Sequence, residues 1–138
     1  MNMQNAFQNL NWFAIFTAAV SAFLLGSIWY SPLMFLNRWM KELGITKDST
    51  KKVNLAKLFI LAFILSFVAS FFLAMFIGAK SGAAFGALAG FMAGIGWVFT
   101  FMGISYLFEG RTLVHFLINA MYSVASLTIM GLIIGIWQ

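Results

Sequence analysis

The chain has 138 residues, of which 63% are hydrophobic and 8% charged, against roughly 45–50% and about 25% in an ordinary soluble domain. So few charges cannot clothe a water-soluble globule, although they suffice for the two water-facing ends of a lipid-embedded bundle. Three acidic residues, one histidine and no cysteine exclude a disulfide framework, a thiolate metal site and a cysteine nucleophile, and leave little from which to build a catalytic centre.

The expected fold is an all-α integral membrane protein. It forms a single four-helix transmembrane domain over residues 1–138, with spans near 10–30, 55–77, 83–108 and 112–137 and a short interfacial helix at 33–43. Each span is long enough to cross about 30 Å of hydrocarbon. The first follows an Asn- and Gln-rich start without Lys or Arg, so it reads as a retained span and not as a cleaved leader. It carries a small face, Ala18, Ala22 and Gly26, and closes on Trp29, Tyr30, Ser31 and Pro32. Trp29 and Tyr30, with Trp39 beyond, are expected at headgroup depth, where amphipathic rings are favoured. The alternative turns Trp29 and Tyr30 inward as the roof of a binding site.

Pro32 must end or kink the first helix. At about 100° per residue, Leu33, Phe35, Leu36, Trp39, Met40 and Leu43 then share one arc, while Asn37, Arg38, Lys41 and Glu42 fill the other. That is the pattern of a short amphipathic helix stopped by Gly44, lying in the headgroup plane or capping the end of the bundle. Thr46 to Lys52 reads as polar loop, and Lys57 can snorkel from the start of the second span.

From the next connection onward, Gly78, Gly82, Gly86, Gly90 and Gly94 recur every four residues. Each step overshoots a full turn by about 40°, so the stripe drifts around the helix and suits a right-handed crossing with closely approaching backbones. Gly131 and Gly135 offer a matching face on the last span. The partner is expected within the chain or, alternatively, in a second copy. The text around Lys80 lacks the glycines that a phosphate-cradling loop requires.

The last span opens on a polar constellation: Glu109, Arg111, His115, Asn119, Tyr122, Ser123 and Ser126. His115, Asn119, Tyr122 or Ser123, and Ser126 repeat every three or four residues and share one face, which in lipid must turn inward. That face serves interhelical hydrogen bonding, with Glu109 and Arg111 as a surface pair, or it lines a polar vestibule in which His115 binds or relays a proton or a polar solute. No nucleophile-plus-base or zinc-helix spacing is present, so neither enzymatic activity nor a cofactor is expected.

Arg38, Lys41, Lys47, Lys51, Lys52, Lys57 and Arg111 fall on one side of the membrane and Lys80 alone on the other. The bias puts the first and third connections in the cytoplasm and both termini outside, and opposes dual topology. With the basic residues beside apolar spans, the formal charge of +5 points to anionic lipid headgroups on the cytoplasmic side and not to nucleic acid.

The run Gly26-Ser-Ile-Trp-Tyr-Ser-Pro-Leu, then Trp39-Met-Lys and Gly44, then Phe108-Glu-Gly-Arg, Leu117-Ile-Asn-Ala, Met130-Gly and Trp137 together resemble the bacterial membrane family catalogued as domain of unknown function 1761. The likeness covers nearly the whole chain. It implies a four-span protein of the bacterial inner membrane and supplies no substrate, cofactor or reaction. Where that family often has a histidine after the tyrosine matching Tyr122, this chain has Ser123. The expected role is a non-enzymatic structural or accessory membrane component. The alternative is a small transporter or channel subunit acting as a homo-oligomer through its glycine-rich faces.

Overall fold

The computed structural model describes residues 2–48 and 53–138, so Lys51 and Lys52 of the basic cluster lie outside the described residues. Among the described residues the chain is all-helical: α1 (Met3–Gln8), α2 (Trp12–Trp29), α3 (Leu36–Leu43), α4 (Leu55–Ile77), α5 (Ala83–Ala93), α6 (Thr100–Phe108) and α7 (Leu113–Trp137). A π-helical turn, Gly94–Phe99, joins α5 to α6, so that Ala83–Phe108 forms one rod. That rod, α2, α4 and α7 are four helices long and apolar enough to cross a membrane. Side-chain caps set three of the starts: Asn11 accepts from the Ala14 amide, Asn54 from Lys57 and Thr112 from His115.

Two elements differ from the sequence expectation. The short helix α1, capped by Asn2, has no apolar period to announce it, and is held by Phe7 against Phe71 (ring centroids 6.2 Å apart). Helix α3 begins at Leu36 and not at residue 33, because the backbone after Pro32 is spent on turns. The Ser31 carbonyl accepts from both Met34 and Leu36, and Phe35 donates to Trp29. Leu33 is left 93% exposed. Gly44 closes α3 in the left-handed region, at φ 67°.

Helix α7 is the hub, with α2, α4 and the third rod all packed on it. Asn11 Nδ2 donates to the Trp137 carbonyl at one end and Trp29 Nε1 to the Ile118 carbonyl at the other, so α2 runs antiparallel to α7. The short connections at Gly78 to Gly82 and Glu109 to Arg111 lead one to expect a sequential meander of the second, third and fourth spans, and that is not the arrangement found. Helix α4 packs chiefly on α2 and barely meets α5, because the glycines of α5 fit α7 so closely.

A Cβ added to Gly86 would strike the Gly131 carbonyl, one on Gly90 the Leu127 carbonyl, and one on Gly94 would sit 2.9 Å from Val124 Cα. Gly131 and Gly135 return the contact against Gly86 and Gly82. The stripe therefore closes on a helix of its own chain. Its first two members do something else. At Gly78 (φ 74°) and Gly82 (φ 85°) an added Cβ would meet nothing, and their positive φ shapes the turn between α4 and α5, although the Gly82 carbonyl still lies against Gly135. Ile15, Ala18, Ala22, Leu73, Ala74, Ile77, Ala89, Met130 and Ile134, drawn from α2, α4, α5 and α7, form the core. Ser70, fully buried, donates to the Ile15 carbonyl (2.8 Å) and ties α4 to α2.

Candidate functional site

Beyond Gly94 the π turn inserts one residue per turn, and the rod continues along α7 through large rings in place of glycines. Phe99 meets Phe116 (4.8 Å), and Tyr106 lies between Phe116 (5.8 Å) and His115 (5.2 Å). At this end the three tyrosines of the chain converge on Asn119. The Tyr30 hydroxyl donates to Asn119 Oδ1 (2.6 Å), and Asn119 Nδ2 donates to the Tyr106 hydroxyl oxygen (2.8 Å). Tyr122 stands edge-on to Tyr30 (5.3 Å) and donates to the Ala22 carbonyl (2.9 Å). One amide thus joins α2, the third rod and α7. Gly26 makes room for this, since a Cβ there would lie 2.9 Å from the Tyr122 hydroxyl.

The aromatic residues expected at headgroup depth turn inward. Trp29 donates to α7 through Ile118, Tyr30 reaches Asn119, and Trp39 of α3 packs edge-on against Tyr30 (5.8 Å). Each has a polar atom, and for Trp29 and Tyr30 α7 offers a buried partner that a lipid tail cannot. Helix α3 is a cap on the bundle end: Met40 is buried, and the Thr112 hydroxyl, at the start of α7, donates to the Glu42 carboxylate. That hydrogen bond and the Arg38 guanidinium (3.0 Å) hold the Glu42 carboxyl below its ordinary range.

The polar constellation of the last span divides. Asn119 and Tyr122 join the cluster, and Ser123 donates to the Asn119 carbonyl (3.2 Å) and touches Met102 Sδ (3.8 Å). His115 and Ser126 are buried, with His115 Nδ1 and Ser126 Oγ lacking a hydrogen-bond partner. Glu109 and Arg111 sit apart on the exposed turn, paired at 3.1 Å. Among the described residues no three His, Asp or Glu side chains come together as a metal site.

Beside the cluster lies a groove of about 610 Å³ between α2 and α4, lined among others by Phe23, Tyr30, Trp39, Phe59, Asn119 and Tyr122. It falls within the roughly 300–1,000 Å³ of small-molecule sites. It lies where α4 meets α2 through rings: Phe63 packs on Phe16 and Phe23, and Phe59 on Phe23 (centroids 5.7 to 6.4 Å apart), while full burial is reached only in the last third of α4, at Ser70, Leu73, Ala74 and Ile77. Sequence reasoning passed over Tyr106 and the α4 wall. Tyr106 carried a usable signal, a lone phenol two residues before the end of an apolar span. The α4 residues carried none, since a groove wall and a lipid face have the same composition.

The model of the family described as Protein of unknown function (DUF1761) matches residues 13–135. No curated protein and no solved structure gave a match.

Proposed function

The chain belongs to the DUF1761 family, and from that premise we propose that it is a non-enzymatic structural or accessory component of the bacterial inner membrane. The observation that carries this reading is the double use of Asn119, whose amide accepts from Tyr30 and donates to Tyr106. The conspicuous polar residue of the last span thereby fastens three helices, each contact contributing about 0.6–2 kcal/mol in lipid. Gly86, Gly90, Gly131 and Gly135, the faces a homo-oligomeric transporter would need, are covered within one chain. In this reading α3 and the basic connections meet anionic headgroups on the cytoplasmic side, with both termini outside.

Native mass spectrometry on protein extracted gently with its lipids tests the role. A monomer retaining anionic lipid is the expected result. A homo-oligomer that reproducibly carries a water-soluble solute overturns it in favour of a transporter. The orientation has its own check, because Gln4→Cys should label from outside intact cells and Lys47→Cys should not, and the opposite pattern reverses the charge argument.

A further inference from the structure

The groove between α2 and α4 has a hydrogen-bonding pattern as well as a volume. None of the residues lining it is charged, and Glu42, at the same end of the bundle, is engaged by Arg38 and Thr112. An ionic head would enter this low-dielectric space without a counter-charge, a penalty that an uncharged head avoids.

Four hydroxyls line the groove with their protons already given away. Tyr30 donates to Asn119 (2.6 Å), Tyr122 to the Ala22 carbonyl (2.9 Å), Ser27 to Phe23 (3.1 Å) and Ser66 to Ala62 (2.9 Å). Their oxygens therefore meet a ligand as acceptors. The remaining donors are the Trp39 indole N–H and the second N–H of Asn119, whose first goes to Tyr106. A hydroxyl group is donor and acceptor at once and serves both sets. A ketone or an ether offers no proton to the four oxygens, and a carboxylate or an ammonium adds an uncompensated charge. The side walls, Phe23, Leu58 and Phe59, are apolar, and Leu58 and Phe59 are half exposed.

We propose that this groove binds an uncharged, hydroxyl-bearing amphiphile that enters sideways from the bilayer. Its hydroxyl sits on the floor formed by Tyr30, Asn119 and Tyr122, and its hydrocarbon runs out between α2 and α4. An isoprenoid alcohol and a diacylglycerol present the same chemistry. Occupancy of the groove is independent of the accessory role proposed above.

The test is photolabelling of the full-length protein in phosphatidylcholine and phosphatidylglycerol vesicles with a diazirine analogue of hexadecanol, the labelled peptides being located by mass spectrometry. Label should concentrate on residues 23–30 and 58–66. Farnesol or dioleoylglycerol should displace it, the stronger competitor identifying the source. Hexadecyl methyl ether should compete about fivefold less well, the worth of one hydrogen bond. Ala62→Trp fills the groove from an exposed wall position, and Ser66→Leu narrows it independently; at least one folded variant should lose most of the label. Label spread evenly over the lipid-facing helices, equal competition by the methyl ether, or undiminished label in both folded variants overturns the proposal.

Discussion

Where α5 crosses α7, Gly86 and Gly90 lay backbone directly on the backbone of Gly131 and Leu127, whereas past the π turn the same two rods are held apart by Phe99, Tyr106 and Phe116. The first region is held by van der Waals contact over surfaces with no side chain to yield. The second is held by the Asn119 amide and the rings around it, and a groove of about 610 Å³ stands open beside it. In lipid there is no hydrophobic force between helices, so a bundle must hold itself by close packing or by polar contacts. In this chain backbone packing dominates at the first end and polar contacts with rings at the second, and the groove of small-molecule size lies beside the second.

The largest expected effect separates the ends. Gly90→Leu places a side chain on the Leu127 carbonyl, where no flexible atom can move aside, and should cost about 3 kcal/mol or more, or prevent folding. Gly96→Leu, at an exposed position where a Cβ meets nothing within 4 Å, is the control and should melt within about 1 kcal/mol of the parent in detergent. Equal melting of the two variants would mean that the α5–α7 contact is no tighter than an open position. Next in size, Asn119→Leu strands the Tyr30 and Tyr106 hydroxyls and should cost about 1–2 kcal/mol while the fold is retained. A loss as large as that of Gly90→Leu would mean that the polar end is no more adaptable than the glycine end.

The smallest effect concerns the docking of α3. Because the Glu42 carboxyl is held low in the folded state, its contribution is present above the ordinary carboxylate range and is lost as pH falls through the lowered value. Thr112→Val should return the Glu42 titration, followed by NMR, toward its ordinary value, whereas Thr112→Ser should leave it low. An unchanged titration in Thr112→Val would detach Thr112 from the docking of α3.

Some residues carried their fate in the sequence and others did not. Gly86, Gly90 and Gly94 were legible as a stripe because helical spacing is local. Gly78 and Gly82, at the same spacing, were legible only as further members of it until their positive φ showed them to be turn residues. Asn119 and Tyr122 were legible as an inward face, because polar groups cannot face hydrocarbon. For Trp29 and Tyr30 both orientations stayed open, because an amphipathic ring at a helix end suits the headgroup layer and an inward polar partner equally well, and their partners lie 89 positions away in the chain.

An all-helical chain with four helices able to cross a membrane follows from local sequence alone, since span length and hydrophobicity are sums over neighbouring residues. Tertiary contacts set which faces meet: α5 on α7 and not a sequential meander, Tyr106 beside Asn119, and α4 on α2 with a groove left beside the tyrosines. The reason is that lipid tails are as apolar as a protein interior. A phenylalanine facing a helix and one facing the bilayer look alike in a sequence, and only the pairing of small surfaces and the reach of a few polar atoms tells them apart.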